Sequence, residues 1–243
     1  MFNKIILASS SPRRKEILTN LGLKYQIIIP DCDENVDQLL PPDEYVKQLS
    51  QRKGENVLAR IKDEKVDLKD TLIVSCDTIV YFDYGDGIIL GKPKDDRDAY
   101  LMISLLSDSW HSVFSGVTLI DGNTGKVYSD AIETRVKFKM INDKQIEDYI
   151  NTGEPFGKAG AYAMQLMGGA FVEKIDGDWS NVVGLPVSLF TTMLSAYFNT
   201  DIFELRNNTN NEWFEYFKKE KKSQICSGNT KTNVPRCIMY AWI

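Results

Sequence analysis

Apolar and polar positions along the chain follow two periods, which together predict strands interleaved with helices. A short apolar run at residues 4–8 is typical of a buried strand, and apolar positions three and four apart follow in a segment that begins at Pro12. A proline in the first turn and Gly22 beyond the last apolar position mark the two ends of this helix. The next elements are a strand at residues 25–29 and a long helix from residues 41–43 to about residue 61.

The middle of the chain alternates apolar with polar or charged residues, as strands with one buried face do. Its predicted strands, in chain order, are residues 72–76, 79–82, 88–90, 112–120, 126–140 and 170–175. Its predicted helices are residues 95–106, 142–152 and 186–198. Asn142, with Gln145 three positions later, predicts a capping box for the second of these helices. Hairpins among the strands and an irregular order of strands and helices favour a mixed α/β fold over a uniformly doubly wound one.

Length and charge narrow the class of protein. The 243 residues suit one large domain or two lobes that share a core, and the net charge of −5 argues against a nucleic-acid partner. A single histidine, His111, excludes metal sites that need two histidines, and we expect it to have a structural role. The four cysteines contain no CxxC pair, which favours a reducing compartment.

The last 43 residues differ in character from the rest. They carry a net charge of +2, which leaves −7 for residues 1–200. We therefore predict an enzyme domain at residues 1–200 and a C-terminal extension at residues 201–243, partly disordered, with a short aromatic helix at residues 212–222. A dimer contact or a partner site are alternative roles for this extension. The uncharged stretch at residues 180–200 is too short after Pro186 to span a bilayer and predicts a core helix, so no membrane partner is expected.

The first candidate for chemistry is the strand-to-helix junction at residues 9–14, which has the sequence Ser-Ser-Ser-Pro-Arg-Arg. The start of a helix offers free N–H groups to an anion, and the guanidinium groups of Arg13 and Arg14 match pairs of phosphate oxygens. Hydrogen bonds from Ser9 and Ser10 to phosphate fit better than a nucleophilic serine, because no base partner is evident. A capped helix with solvated arginines is the alternative.

Further polar residues stand out at apparent strand ends and in a glycine-rich segment. Asp77 follows an apolar strand and is a candidate general base or metal ligand, or else a turn-forming residue. Lys92 stands between Gly91 and Pro93. Residues 153–165 combine glycines with an acid, Lys158, a tyrosine and an amide, a composition that suits a nucleotide pocket without being a P-loop.

Together these segments closely resemble the Maf family of nucleoside triphosphate pyrophosphatases from about residue 4 to residue 198. The matching segments are residues 7–14, 33–34, 53, 76–80, 91–93, 115–117, 153–165, 173–178 and 181–186. Gly54 and Ser115 stand where the family usually has Ala and Thr. The resemblance implies an inosine-triphosphatase-like fold in which an elongated mixed sheet carries two lobes around a central cleft. It also implies a cytoplasmic hydrolase that splits nucleoside triphosphates into monophosphate and pyrophosphate with Mg²⁺ or Mn²⁺, as a homodimer.

The resemblance also assigns roles to individual residues. Asp77 falls on the proton-acceptor position, with Glu34, Lys53 and Lys92 lining the same cleft. The family's dTTP- and UTP-hydrolysing members carry Arg, Thr and Gln at three specificity positions, which here are Arg13, Thr78 and Gln165.

From these positions we expect Glu34 and Asp77 to bind the metal and a basic and polar set to bind phosphate. That set is Ser9, Ser10, Arg13, Arg14, Lys53, Lys92 and Lys158. The expected function is removal of dTTP and UTP, or of modified pyrimidine nucleotides, from the nucleotide pool. The alternatives are a non-catalytic nucleotide-binding regulator of cell division and a purine (ITP or XTP) pyrophosphatase.

Overall fold

The computed structural model describes residues 1–37, 39–85 and 87–209 of the chain. Its strands are β1 (Lys4–Ala8), β2 (Gln26–Ile27), β3 (Thr71–Phe82), β4 (Ile88–Leu90), β5 (Trp110–Asp121), β6 (Val127–Phe138) and β7 (Val172–Asp176). Its helices are α1 (Pro12–Asn20), α2 (Pro42–Asp63), α3 (Asp96–Leu106), α4 (Asp143–Asn151), α5 (Trp179–Val183), α6 (Val187–Phe198) and α7 (Ile202–Asn208). Two short 3₁₀ turns cover Ala159–Ala161 and Met167–Phe171. Among the described residues, none of the helices has both the length and the apolar character needed to cross a bilayer.

The strands form one mixed sheet, which confirms the predicted α/β class. The order is β2-β1-β3-β5-β6-β7, with β4 paired to the end of β3. β1 runs parallel to β2 and β3, whereas the pairs β3–β5, β5–β6 and β6–β7 are antiparallel. The predicted capping box of α4 is present, since Asn142 Oδ1 accepts from the Gln145 N–H and the Gln145 side chain accepts from the Asn142 N–H.

The predicted strand end at Asp77 is wrong, because β3 runs through it without a break. Asp77 and Thr78 pair with Gly116 and Ser115 of β5, so the ladder continues past both polar residues. A strand can carry polar side chains in its centre when one face opens onto a cleft, and here the cleft, not a turn, accounts for the interruption in the apolar pattern. Asp77 is consequently held in a backbone that is paired with β5 both before and after it.

Two apolar cores lie along the same long strands and form the two lobes. The first includes Leu72, Val74 and Cys76 of β3 together with residues of β1, α1 and α6. The second includes Val80 at the far part of β3, with residues of α3, α4 and β6. Asp77 and Thr78 thus stand at the point on β3 where one core gives way to the other. The predicted central cleft opens there.

α2 packs very closely on the sheet because glycine and small hydroxyl residues face each other. A Cβ on Gly116 would come within 2.3 Å of the Val46 carbonyl oxygen, and one on Gly54 within 2.7 Å of Ser75 Oγ. The Ser50 hydroxyl lies 2.8 Å from Thr118 Oγ1 across the same contact. Gly54, which has no side chain, therefore lets α2 approach β3 and brings Lys53 close to the sheet.

The folded part continues beyond residue 200. Asp201 caps α7 through the N–H groups of Phe203 and Glu204, and Leu205 is buried in the first core. The predicted boundary at residue 200 falls immediately before this helix. The aromatic helix predicted at residues 212–222 lies outside the described residues.

Candidate active site

A cleft of about 430 Å³ opens between the two cores, and most of the predicted site residues line it. These are Ser9, Ser10, Arg13, Arg14, Glu34, Lys53, Asp77, Thr78, Lys92 and Gln165. They come from the β1–α1 junction, the loop before α2, α2 itself, the middle of β3, the segment after β4 and the glycine-rich segment. Residues that are up to 156 positions apart in the sequence, from Ser9 to Gln165, thus meet around one cavity.

At one side of the cleft, two carboxylates converge on one buried lysine. Lys53 Nζ lies 2.5 Å from Asp77 Oδ1 and 3.2 Å from Glu34 Oε1. Burial would lower the pKa of Lys53, but the charge of Asp77, its hydrogen bond and the charge of Glu34 outweigh burial and raise that pKa above its ordinary value. Lys53 is therefore a permanent cation. Asp77 Oδ2 accepts no hydrogen bond from a described residue and is the oxygen free to meet a water or a ligand.

The two arginines of α1 have different surroundings. Arg13 donates only through Nε, 3.0 Å from the Val183 carbonyl oxygen, so neither of its terminal nitrogens bonds to a described residue. Burial and the neighbouring Arg14 charge lower the pKa of Arg13, although a guanidinium stays charged at any physiological pH. Arg14, by contrast, donates through all three nitrogens, to Gly184 O at 2.8 Å, Ser9 Oγ at 3.3 Å and Thr78 Oγ1 at 3.1 Å.

The remaining predicted phosphate ligands differ in their exposure and in whether they face the cleft. Ser9 is buried, and its hydroxyl oxygen accepts from the Ser11 N–H and from Arg14, so it braces the junction. Ser10 and Lys92 are exposed residues of the cleft lining. Lys158 does not line the cleft, because its ammonium turns back to the carbonyl oxygens of Glu154 and Phe156.

The wall formed by the glycine-rich segment carries an unmatched amide. Gln165 Oε1 is buried and has no hydrogen-bond partner in the described structure. Nearby, the ring of Tyr162 lines the cleft while its hydroxyl lies 2.9 Å from His111 Nε2 in the interior. Burial lowers the pKa of His111 to about 3, so this histidine is neutral. His111 therefore anchors a wall residue, which fits the structural role expected for it.

Tyr45 also lines the cleft, although the sequence motifs do not assign it to the site. It lies eight positions before Lys53 on α2, with Leu49 between them, so that all three share one helix face and line the cleft. Burial and then the charges of Asp77 and Glu34 raise the pKa of Tyr45. The helical spacing from Lys53 is the signal that identifies it, because residues eight apart lie close to one face of a helix.

The donor set fits a hard divalent cation that is completed by substrate oxygens. Among the described residues there is no group of three or more His, Cys, Asp or Glu side chains able to hold a metal by themselves. Glu34 and Asp77 nevertheless point at one cationic position, that of Lys53 Nζ. One or two carboxylates together with phosphate oxygens and water are the usual ligands of Mg²⁺ in nucleotide enzymes.

The sequence profile of the family described as "Maf-like protein" matches residues 4–197. The chain belongs to the Maf family. The match covers every residue of the cleft described above, and it ends one residue before the last residue of α6. The predicted family is confirmed.

Curated Maf relatives align over nearly their whole length. A protein of Caldicellulosiruptor saccharolyticus, named dTTP/UTP pyrophosphatase, is 44% identical over 191 residues, which are 79% of this chain and 93% of the relative. One of Alkaliphilus metalliredigens with the same name is 43% identical over 82% of this chain and 98% of the relative. A crystal structure from Mycobacterium abscessus, described as a nucleoside-triphosphatase / dITP/XTP pyrophosphatase, has a TM-score of 0.34 and 15% identity over 57% of this chain and 75% of that chain.

Proposed function

We propose that this Maf protein hydrolyses dTTP and UTP to the nucleoside monophosphate and pyrophosphate. The observation that carries the proposal is the cleft in which the Lys53–Asp77–Glu34 cluster faces the free end of Arg13 and the unmatched amide of Gln165. The curated relatives named dTTP/UTP pyrophosphatase, which are more than 40% identical to this chain, support the choice of substrate.

The cations of the cleft supply the charge that a triphosphate needs. The N-terminus of α1 opens onto the cavity, and no side chain of the described residues caps it, so the N–H groups after Pro12 are available to phosphate oxygens. Arg13 offers two terminal nitrogens as a fork, and Lys53 and Lys92 add two ammonium groups. Phosphoryl-type transfer depends mainly on positioning and charge stabilisation, and these groups provide both.

Asp77 is the proton acceptor of the proposed reaction. Its Oδ1 is held by Lys53, and its free Oδ2 takes a proton from water as the water oxygen attacks the α-phosphorus. The new P–O bond forms while the bond from the α-phosphorus to the bridging oxygen breaks, and pyrophosphate leaves with the electron pair. Lys53 fixes the orientation of the Asp77 carboxylate, so that Oδ2 is the oxygen left to accept the proton.

Glu34 and Asp77 are the residues that would hold a divalent cation, Mg²⁺ or Mn²⁺. Such a cation supplies Lewis-acid charge neutralisation at phosphate oxygens. The 62% exposed side chain of Glu34 can move toward an arriving nucleotide, whereas Asp77, at 12%, is fixed within its strand.

Gln165 is the proposed reader of the base. Its amide offers one donor and one acceptor, which complement O4 and N3–H of thymine or uracil. The buried Oε1 has no partner among the described residues, so pairing with N3–H would remove the cost of an unsatisfied polar atom.

We also propose a cytoplasmic location and an action as a homodimer on a free nucleotide, with neither nucleic acid nor membrane as a partner. The two described cysteines, Cys32 and Cys76, are free thiols, which suits a reducing compartment.

A nucleotide panel tests the proposed function directly. Pyrophosphate release is measured with Mg²⁺ or Mn²⁺ for dTTP, UTP, CTP, GTP, ITP and XTP, in the parent protein and in Asp77→Asn. We expect turnover of dTTP and UTP and its loss by a factor of about 10² or more in Asp77→Asn. A matched control, Asp130→Asn, alters an exposed carboxylate on β6 and should keep full activity. Tight binding without product would establish the non-catalytic regulator, and preference for ITP or XTP would establish the purine enzyme.

A further inference from the structure

The hydroxyl of Thr78 has three protein partners although it lines the cleft. Arg14 Nη2 donates to Thr78 Oγ1 at 3.1 Å, Ser115 Oγ lies 2.8 Å away and the Gly184 carbonyl oxygen 3.4 Å away. Ser115, on β5, is completely buried, and Thr78 Oγ1 is the single partner that the described residues offer its hydroxyl. A buried hydroxyl with one neighbour must direct its proton at that neighbour or leave it unsatisfied.

Counting protons and lone pairs then settles how the three bonds are arranged. A threonine hydroxyl has one proton to donate and two lone pairs that accept. Arg14 can only donate and Gly184 O can only accept, so Ser115 donating to Thr78 is the arrangement in which every group is satisfied. In that arrangement Thr78 accepts twice and donates once, which leaves its hydroxyl no capacity for a nucleotide base.

The same bonds hold the turn at the end of α5. The consecutive carbonyls of Val183 and Gly184 accept from Arg13 Nε at 3.0 Å and Arg14 Nε at 2.8 Å. Gly184 has a φ of +129°, a conformation that residues with side chains rarely adopt, and its carbonyl also accepts from Cys76 Sγ at 3.3 Å. Displacing Gly184 therefore moves the neighbouring carbonyl of Val183, which is what aims the Arg13 guanidinium across the cleft.

We propose that Thr78 and Ser115 are positioning residues that determine nucleotide selectivity indirectly, through the groups that their hydroxyls hold in place. Their hydroxyls fix Arg14 and the Val183–Gly184 turn, these orient the Arg13 guanidinium, and neither hydroxyl contacts the base. The proposal rests on the proposed pyrophosphatase activity. It adds Ser115, which no ligand can touch, to the residues that govern the choice of substrate.

Selectivity, rather than rate or stability alone, is the measurement that separates this role from a merely structural one. The ratio of kcat/KM for dTTP to that for CTP is compared in the parent protein, Thr78→Val, Thr78→Ser, Ser115→Ala and the double variant Thr78→Val/Ser115→Ala. We expect Thr78→Val and Ser115→Ala each to shift the ratio in the same direction by roughly tenfold. The double variant should shift it no further than Thr78→Val, because both changes cut one network. Thr78→Ser keeps the hydroxyl and should keep the ratio.

A matched control is available three positions along the same strand. Thr118 is equally buried but bonds to Ser50 and Ser129, away from the arginines. Thr118→Val should lower the thermal midpoint without altering the ratio. Arg14→Lys keeps the positive charge but loses the branched guanidinium, so it should shift the ratio as Thr78→Val does. If Ser115→Ala does not fold, Arg14→Lys and Thr78→Val together still test the proposal.

The proposal is overturned if Thr78→Val changes the ratio while Ser115→Ala and Arg14→Lys leave it unchanged, since Thr78 would then touch the base itself. A shift with Thr118→Val equal to that of Ser115→Ala would also overturn it, by reducing the effect to general loosening of the sheet. Absence of turnover in the parent protein with every nucleotide contradicts the proposed function instead, so the two failures are distinguishable.

Discussion

Lys53 Nζ and Asp77 Oδ1 are 2.5 Å apart, in an ion pair whose two side chains are only 9% and 12% exposed. α2 supplies the cation and the middle of β3 supplies the anion, so the pair depends on the close approach of helix and sheet. The pair holds one oxygen of the proposed base and leaves its second oxygen for the cleft. Breaking one partner of so buried a pair leaves an uncompensated charge in the interior.

Replacing Lys53 by methionine should therefore destabilise the protein through Asp77. We expect the free energy of unfolding to fall by about 3 kcal/mol in Lys53→Met, and by less in the double variant Lys53→Met/Asp77→Asn, in which no buried charge is left unpaired. Urea unfolding at neutral pH measures both. Equal losses in the single and double variants would contradict the role assigned to the pair.

Gln165 should contribute to pyrimidine recognition through both halves of its amide. Gln165→Leu keeps the bulk of the side chain and removes its donor and acceptor, so kcat/KM for dTTP should fall by roughly 10- to 100-fold. Activity with CTP should fall less, and the selectivity ratio should therefore shrink. Leu166→Ala is the control, because Leu166 is exposed and outside the cleft lining. An unchanged ratio in Gln165→Leu would remove Gln165 from base recognition.

His111 should make stability depend on pH below neutrality. Its folded pKa of about 3 lies under the ordinary value of 6.5, so between these values the unfolded chain binds a proton that the folded chain does not. Stability is thus retained above pH 6.5 and lost as the pH falls toward 3. Between pH 7 and pH 5 the loss due to this residue is about 2 kcal/mol.

Urea unfolding at these two pH values, in the parent protein and in His111→Gln, measures that contribution. Glutamine retains a hydrogen-bonding side chain opposite Tyr162 but does not titrate, so the loss on acidification should be about 2 kcal/mol smaller in the variant. The same acid loss in both proteins would show that His111 is not the responsible group.

A methyl group at Gly116 should separate α2 from the sheet. Its Cβ would lie within 2.3 Å of the Val46 carbonyl and 2.7 Å of the Lys47 nitrogen, which are backbone atoms that cannot rotate away. We expect Gly116→Ala to cost about 1–3 kcal/mol and to lower kcat, because Lys53 moves with its helix. Gly91→Ala is the matched control for stability, since a Cβ there has no neighbour within 4 Å. Equal thermal midpoints for the two variants would contradict this account.

Much of the fold follows from the local pattern of apolar and polar residues, but the continuity of β3 through Asp77 does not. The strand at residues 4–8, the helix from Pro12 and the capping box at Asn142 all depend on neighbouring residues, and each is present. The break predicted at Asp77 is wrong because the pairing partners of Asp77 and Thr78, which are Gly116 and Ser115, lie nearly 40 positions away. Local pattern shows that a residue is polar, but not whether a turn or a cleft receives it.

In the candidate site, too, the sequence predicts which residues take part but not the contacts that depend on distant parts of the chain. The family motifs identified the ten residues that meet in the cleft, yet the different surroundings of Arg13 and Arg14 could not be foreseen from two identical neighbours. Which guanidinium is free depends on where the Val183–Gly184 turn, 170 positions along the chain, places its carbonyl groups. Lys158 was expected at phosphate as part of the glycine-rich segment, and its ammonium bonds to the carbonyl oxygens of its own loop.

The long strands that cross from one core to the other have a consequence for how this protein melts. β3 contributes Val74 to the first core and Val80 to the second, and β5 does the same with Leu119 and Val113. Neither lobe can lose its strands without taking them from the other, so unfolding should be a single cooperative transition. A nucleotide bound beside Asp77 would lie between the two cores that these strands join. Its binding energy therefore protects both lobes together from heat and from proteases.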